Sequence, residues 1–245
     1  MKKWKIIRLI LSIFFVIVFI FSAWQIVAYK LAERDASKLY NKIITEAVID
    51  TPDDSNTPIK VDFEKLKKEN EDIVGWIYSA DTPINYPVLK GSNNDEYIHT
   101  MLNGEANKAG SIFADYRLNG NVDESINYII YGHNMKNNTM FGTLTDYKKQ
   151  AYYDAHKEMY LLTPEKNYVL KVYAGYVTKA DDKITYKFDY TYSELDRYMD
   201  TVRDKSNFKT DIVYEHGKPI VTLSTCAYNF EDARYIIVCI AEELT

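Results

Sequence analysis

A nearly continuous apolar segment near the N-terminus restricts the fold of this chain more than any other feature. The segment extends from Leu9 to Ala28 and is interrupted only by Ser12, Ser22 and Gln25. An α-helix needs about 20 apolar residues to cross the hydrocarbon layer of a bilayer. The sequence therefore predicts one transmembrane helix over residues 9–28.

The residues that flank this segment predict its orientation. Residues 1–8 contain four basic residues and no acidic one, which predicts a cytoplasmic tail and an extracellular remainder. A cleavable signal peptide is the alternative interpretation, but the segment is long for one, and cleavage after Ala23 would place Phe21 where a small residue is needed. We therefore expect a retained anchor and a protein that crosses the cell membrane once.

The charge of the exported part excludes one class of partner. The chain carries 30 basic and 35 acidic residues, and because four of the basic ones precede residue 29, the exported part keeps 26 basic residues against 35 acidic ones. An acidic exterior binds nucleic acid and anionic surfaces poorly. No nucleic-acid function is expected.

Residues 29–58 separate the membrane segment from the folded domain. Apolar residues recur at helical spacing over residues 29–49, which predicts a helix that either forms a stalk or packs on the domain. Residues 50–58 are polar and include Pro52 and Pro58, a composition typical of a linker. We place the start of the folded, extracellular domain at residue 59 and its end at residue 245.

The folded domain is predicted to be mostly β. Short apolar runs alternate with turns rich in Gly, Asn, Asp and Pro, a pattern that favours a β-sandwich or a closed β-barrel. A helix capped by Asp62 precedes these runs, and a helical insert over Tyr192–Phe208 interrupts the late ones. The eight predicted strands are Gly75–Tyr78, Tyr86–Leu89, Ser111–Ala114, Asn127–Tyr131, Glu158–Thr163, Tyr168–Thr178, Ile220–Cys226 and Ala233–Ala241.

The strongest candidate for a reactive group is Cys226, at the end of an apolar run. A short polar loop follows, and the next apolar run begins near Arg234. If the two runs pair as a hairpin with its loop centred near Phe230, the Cβ atoms of Cys226 and Arg234 lie about 4.5–5.5 Å apart. A guanidinium there favours the thiolate, the form of cysteine that attacks carbonyl groups. The alternative is an inert cysteine beside a solvated arginine.

The second cysteine is predicted to be structural. The same hairpin register places Cys239 opposite Val221, about 16 Å from Cys226, whereas the Cα atoms of a disulfide lie within about 7 Å. We therefore expect no disulfide and a buried Cys239 thiol. The sequence contains neither a Cys-x-x-Cys or His-x-x-x-His spacing nor a glycine-rich phosphate loop, so no metal or cofactor is expected.

His133 is the candidate among the four histidines. It directly follows the buried strand that ends at Tyr131 and Gly132, and a polar loop comes after it. A loop at the end of a rigid strand is a common position for a catalytic group. His156 and His216 lie in polar segments and are expected to face solvent.

Several segments together resemble the sortase family. Thr222–Cys226 matches its TLxTC signature, and Arg234 and Tyr131–Met135 match the other two catalytic segments. Further segments resemble class B sortases in particular, as does a helical insert between the sixth and seventh strands. These segments are Asp72–Ile77, Ile84–Leu89, Asn94–Ile98 and Met140–Gly142.

The resemblance implies an eight-stranded β-barrel and a membrane-anchored cysteine transpeptidase of Gram-positive bacteria. Such an enzyme cleaves a C-terminal sorting motif of an exported protein, NPQTN-like or PxTG-like, after its threonine. It then joins the fragment to an amine of peptidoglycan or of the lipid-linked peptidoglycan precursor.

The resemblance also implies roles for individual residues. Cys226 forms a thioester with the threonine, His133 protonates the leaving amine and deprotonates the incoming one, and Arg234 holds the oxyanion or the substrate backbone. Four further residues are implied in substrate binding, although ordinary packing explains them equally well: Ser224, Thr225, Asn94 and Ile98.

Three alternatives remain open at the level of sequence. The same residues would serve a cysteine protease that releases its product to water. A pilin-polymerising sortase would use a lysine of another pilin as the acceptor. An anchored, tyrosine-rich barrel with an inert Cys226 would be a binding protein and not an enzyme.

Overall fold

The computed structural model describes residues 2–50, 56–118 and 120–244. Its first element is one long helix, α1 (Lys2–Ala47, 46 residues). An 18-residue window of this helix has a mean hydropathy of 2.8, and none of that window is buried. By length and composition α1 is therefore able to cross a membrane, as predicted for residues 9–28.

The C-terminal part of α1 packs on the domain. Ala36, Tyr40, Ile43 and Ala47 recur at spacings of three and four residues and are at most 5% exposed, so one face of the helix is buried in the core. Of the two predicted arrangements for this helix, packing on the domain is the one observed.

A two-stranded sheet connects this helix to the rest of the chain. β1 (Val48–Asp50) pairs antiparallel with β2 (Ile59–Val61), and residues 51–55 of the predicted linker lie outside the described residues. The short helix α2 (Phe63–Glu69) follows, and the Asp62 carboxylate caps it by accepting a hydrogen bond from the amide of Lys65 at 3.0 Å. The division of the chain at residue 59 stays a prediction.

Eight strands close into a barrel in the order β10-β8-β7-β3-β4-β5-β6-β9. Each of these strands coincides with a predicted strand. Because the sheet closes on itself, the fold is a barrel and not a sandwich. Two neighbouring pairs, β4 with β5 and β6 with β9, are parallel, and the other pairs are antiparallel. The strands are β3 (Ile73–Tyr78), β4 (Asn85–Leu89), β5 (Ile112–Ala114), β6 (Asn127–Tyr131), β7 (Glu158–Leu162), β8 (Asn167–Lys179), β9 (Ile220–Cys226) and β10 (Ala233–Leu244).

Besides α1 and α2, the described residues form two further α-helices outside the barrel. The short α3 (Gln150–Ala155) precedes β7, and α4 (Tyr192–Lys205) lies between β8 and β9, which are the sixth and seventh barrel strands. The predicted helical insert is thus confirmed, three residues shorter at its C-terminus because Ser206 has extended backbone. The buried face of α4 consists of Leu195, Tyr198, Met199 and Val202. Short 3₁₀ helices occupy Val122–Glu124 and Gly142–Lys148.

Candidate active site

The parallel pairing of β6 with β9 brings the ends of two distant chain segments together. Tyr131 is the register partner of Ser224, so two residues further along each chain His133 comes next to Cys226. The Gly132 amide donates to the Ser224 carbonyl at 3.1 Å, and the Thr225 hydroxyl donates to the Gly132 carbonyl at 2.8 Å. These bonds continue the pairing up to the two candidate reactive residues.

Gly132 lies in a position that excludes any side chain. A Cβ built at this residue would lie 2.4 Å from the Ile112 Cδ1 and 2.7 Å from the Phe141 ring, far inside normal contact distance. Any larger residue would therefore displace the core or the chain that leads to His133.

The β9–β10 hairpin places Arg234 directly opposite Cys226, in the predicted register. Cys226 is half-buried at the end of β9, and Asn134 donates to its carbonyl oxygen at 2.8 Å. Within the part of the chain that the structure describes, no hydrogen bond links the Cys226 thiol to His133 or Arg234. The three residues converge, but the thiol and the imidazole do not form a hydrogen-bonded dyad.

The ring of His133 is held by the segment between β4 and β5. Its Nε2 lies 2.7 Å from the Ile98 carbonyl oxygen, and because a carbonyl only accepts hydrogen bonds, Nε2 carries a proton. The neutral ring therefore has its free lone pair on Nδ1. The exposed ring of His99 stacks on His133, with centroids 5.5 Å apart and planes inclined by 11°.

Burial is the main cause of a lowered pKa at His133, and electrostatic interactions with His99 and Arg234 lower the pKa further. The hydrogen bond to Ile98 acts in the opposite direction but does not outweigh them. His133 is therefore biased toward its neutral form at neutral pH.

A buried carboxylate organises the wall of the groove beside β5. Asp115 is 1% exposed and accepts hydrogen bonds from both the Nε and Nη2 of Arg117 at 2.8 Å. Tyr131 and Asn94 also donate to it, at 2.8 and 3.0 Å. Burial would raise the pKa of Asp115, but these hydrogen bonds outweigh burial and hold the pKa below its ordinary value.

A groove of about 780 Å³ contains Cys226, His133 and Arg234. All four predicted substrate-binding residues also line it. Ser224 and Thr225 are only 3% and 2% exposed, and their hydroxyls are engaged by Tyr186 and by the Gly132 carbonyl. Asn94 and Ile98 are half-buried and help to hold Asp115 and His133.

The groove includes residues that the sequence analysis did not single out. The Tyr186 ring stacks on Tyr131 with centroids 6.1 Å apart, and the Arg117 guanidinium lies 4.8 Å from the centroid of the Phe188 ring. The sequence signal for Arg117 was its position two residues after Asp115, directly beyond a strand end. The contacts of Tyr186 and Phe188 arise from a loop that the sequence does not place.

The second thiol and the other histidines lie outside this groove. Cys239 is fully buried and has a free thiol, as predicted, and burial raises its pKa. His216 is exposed, and His156 is half-buried at the end of α3. Residues 2–50, 56–118 and 120–244 contain no group of three or more His, Cys, Asp or Glu side chains placed to hold a metal ion.

Comparison with known proteins gives one family. The family model described as "Sortase domain" matches residues 77–242 of this chain. Sortase B of Staphylococcus aureus (strain NCTC 8325 / PS 47) is 32% identical over 234 residues, which are 94% of each chain. Sortase B of Listeria monocytogenes serovar 1/2a (strain ATCC BAA-679 / EGD-e) is 33% identical over 231 residues, which are 90% of each chain.

Solved structures agree with this result. The crystal structure of Staphylococcus aureus sortase B has a TM-score of 0.70 at 32% identity and covers 89% of this chain and 99% of its own. Bacillus anthracis sortase B in complex with AAEK1 has a TM-score of 0.73 at 30% identity, with 86% and 98% covered. Because the motifs, the closed barrel and these comparisons all agree, the chain belongs to the sortase family, as a class B cysteine transpeptidase.

Proposed function

We propose that Cys226, His133 and Arg234 carry out the transpeptidation. The observation that supports this proposal is the convergence of three strand ends: the parallel β6–β9 register and the antiparallel β9–β10 register bring His133 and Arg234 into the same groove as Cys226. No other described thiol is accessible, since Cys239 is fully buried.

In the first half-reaction the Cys226 thiolate attacks the carbonyl carbon of the threonine in the sorting motif. A C–S bond forms, and the carbonyl oxygen gains negative charge that the Arg234 guanidinium stabilises. Protonated His133 gives a proton to the amide nitrogen, the C–N bond breaks, and the C-terminal fragment leaves as an amine. A thioester remains on Cys226, and His133 is neutral.

In the second half-reaction an amine attacks the thioester carbonyl. Neutral His133 accepts the proton of the attacking nitrogen, the new C–N bond forms, and the C–S bond breaks to return the Cys226 thiolate. Since Nε2–H is bonded to the Ile98 carbonyl, we assign both proton transfers to Nδ1. The enzyme ends each cycle with the same number of protons as it began.

The substrate class follows from the groove and the family. We propose that the groove binds a C-terminal sorting motif of an exported protein, NPQTN-like or PxTG-like, with Asn94 and Ile98 contacting the peptide while Ser224 and Thr225 shape the groove floor. The acceptor is an amine of peptidoglycan or of its lipid-linked precursor. α1 holds the enzyme in the cell membrane over residues 9–28, with residues 1–8 in the cytoplasm and the barrel outside the cell.

One assay tests the nucleophile. The full-length enzyme in detergent is incubated with a sorting-motif peptide, and cleavage is followed by mass spectrometry for the wild type, for Cys226→Ala and for the matched control Cys239→Ala. We expect cleavage to be abolished only in Cys226→Ala, with unchanged circular dichroism. Undiminished cleavage by Cys226→Ala would exclude this cysteine as the nucleophile.

The same assay separates transpeptidation from hydrolysis. We expect that adding a glycyl peptide converts the hydrolysed product into a ligated one, in proportion to the amine concentration. Hydrolysed product alone at every amine concentration would identify a cysteine protease. Ligation only to a pilin lysine would identify a pilin-polymerising enzyme.

A further inference from the structure

Two large aromatic side chains are exposed immediately beyond Cys226. Residues 227–232 form the β9–β10 loop, in which Tyr228 is 77% and Phe230 is 47% exposed. Tyr228 follows Cys226 by two residues, so it lies within about 7 Å of it along the chain. Solvent exposure of two neighbouring aromatic rings is unfavourable in water unless they face another apolar phase.

This loop lies beside α1, at the end of the apolar segment. Tyr228 and Tyr29 are close enough to interact electrostatically. A second loop reaches the same level of the helix, because the Lys108 Nζ lies 5.8 Å from the centroid of the Tyr29 ring and Asn107 donates to the Ala32 carbonyl at 3.0 Å. The loop with Asn107 and Lys108 therefore contacts α1 at residues 29–32, and the β9–β10 loop lies near the same level of the helix.

This level of the helix corresponds to a membrane surface. Tyr29 directly follows Ala28, the last residue of the apolar segment, and one helical residue is about 1.5 Å of rise. Tyr side chains are enriched at the boundary between lipid and water, where the ring is apolar and the hydroxyl is hydrated. Lysine side chains also extend into this layer from helix ends.

We propose that Tyr29, Lys30, Lys108, Tyr228 and Phe230 form a membrane-facing rim. This rim enters the headgroup layer of the bilayer that holds α1, so the groove with Cys226 opens at the membrane surface. The inference rests on the proposed function, since it uses α1 as an anchor and Cys226 as the reactive group.

The rim binds lipid through its aromatic rings and not through net charge. Glu231 and Asp232 are exposed in the same loop and oppose the attraction of Lys108 for anionic headgroups. A bilayer fits better than a protein partner, because the rim is continuous with the exposed apolar surface of α1. A substrate peptide or an amine held in the membrane would then reach Cys226 without leaving the bilayer surface.

Site-specific photocrosslinking tests this arrangement. The full chain, with p-benzoylphenylalanine at residue 228, is reconstituted in phosphatidylcholine vesicles, irradiated and analysed by mass spectrometry for lipid adducts. Residue 213 is the matched control, because Val213 is equally exposed (78%) but lies in the segment before β9, at the end of the barrel opposite Cys226. We expect lipid adducts at residue 228 and only background at residue 213.

A second position and an activity measurement complete the test. Residue 230 is expected to give the same adducts as residue 228. Background yields at both positions, or equal yields at residues 213 and 228, would overturn the proposal. Wild-type enzyme in the same vesicles is assayed with a water-soluble sorting peptide: cleavage without adducts contradicts only the membrane-facing rim, and adducts without cleavage contradict only the proposed function.

Discussion

At the scale of single residues, the charge of His133 is controlled by groups that act in opposite directions. The Ile98 carbonyl favours the protonated ring, whereas burial, His99 and Arg234 disfavour it, and the pKa is lowered. The proposed mechanism needs the ring as an acid and then as a base. The lowered pKa reduces the protonated fraction of the ring at neutral pH, and we expect this reduction to slow the first half-reaction of the proposed mechanism.

The first prediction concerns His99. Replacing it in His99→Gln removes an electrostatic interaction that lowers the pKa of His133 and part of the stacked surface. The pKa of His133 is therefore expected to rise toward its ordinary value, and the acid side of the kcat/KM profile is expected to move to higher pH. The measurement is an NMR titration of the His133 ring signals. His216→Gln changes an exposed histidine that is hydrogen-bonded to Asp196, so it is the control and is expected to leave the titration unchanged. An unshifted titration in His99→Gln would contradict the stacking argument.

The second prediction concerns Asp115. Its pKa is lowered in the folded state, so the carboxylate contributes stability above its unfolded pKa and loses that contribution as the pH falls through the folded one. Asp115→Asn is expected to lower the free energy of unfolding by about 2 kcal/mol at neutral pH, because it weakens hydrogen bonds from a charged partner. This difference is expected to narrow only as the pH falls below the ordinary aspartate pKa of about 3.9, toward the lowered pKa of folded Asp115.

Urea unfolding at neutral pH and at a pH below about 3.9 measures the difference in stability between the wild type and Asp115→Asn. Asp123→Asn is the matched control. Like Asp115, Asp123 pairs with a basic residue and a tyrosine, here Lys166 and Tyr168, but it is 36% exposed. We expect a loss below about 1 kcal/mol for this surface pair. Equal losses in the two variants would show that burial of Asp115 is unimportant.

At the scale of secondary-structure elements, the parallel pairs decide where the site lies. Antiparallel hairpins bring together residues that are near each other in sequence, as with Cys226 and Arg234. The β6–β9 pair instead joins the ends of strands whose residues are about 90 positions apart. Without that pair the imidazole and the thiol would not meet.

The third prediction concerns the cap of α4. The Thr191 hydroxyl accepts from the Glu194 amide at 3.3 Å, and the Glu194 carboxylate accepts from the Thr191 amide at 2.8 Å. Thr191→Ala is expected to cost about 1 kcal/mol in unfolding free energy, whereas Thr191→Ser keeps the bond and costs less. Urea unfolding compares them, and equal stability of the two variants would contradict the capping role.

This cap is expected to persist in acid. Lys187, followed by the Thr191 amide and hydroxyl, lowers the pKa of Glu194 to about 2. The carboxylate therefore stays charged, and able to accept both bonds, until the pH falls to that value.

At the scale of the whole molecule, α1 couples the N-terminal apolar segment to the barrel. The Tyr40 hydroxyl donates to the Gly110 carbonyl at 2.7 Å and lies 3.1 Å from the Ser111 hydroxyl. Its ring packs edge-on against Tyr86, with centroids 5.3 Å apart. The barrel is thus held at a defined height above the apolar segment.

The fourth prediction tests this coupling. Tyr40→Ala removes a buried ring and is expected to lower the free energy of unfolding by about 3–5 kcal/mol. Tyr40→Phe removes only the hydroxyl and is expected to cost about 1 kcal/mol. Unfolding of the full chain in detergent by urea measures both, and equal costs would mean that the ring does not hold α1 on the barrel.

The local parts of this structure were predictable from sequence because their causes are local. A run of apolar residues predicts a membrane helix, alternating short runs and turns predict strands, and a hairpin between adjacent strands fixes the register of Cys226 and Arg234. The position of His133 directly after a buried strand made it the candidate histidine, and the motif resemblance added its role. These features need only residues close together in the chain.

Contacts between distant segments were decided only by the tertiary structure. Closure of the sheet, packing of α1 on the barrel, the Ile98 bond to His133 and the cluster around Asp115 each join segments that no sequence period relates. Their physical reason is shared burial: a strand end or a carboxylate finds its partner only once the barrel has formed a common interior. The sequence by itself identified the candidate reactive groups, and the closed barrel determined which of them come together in one groove.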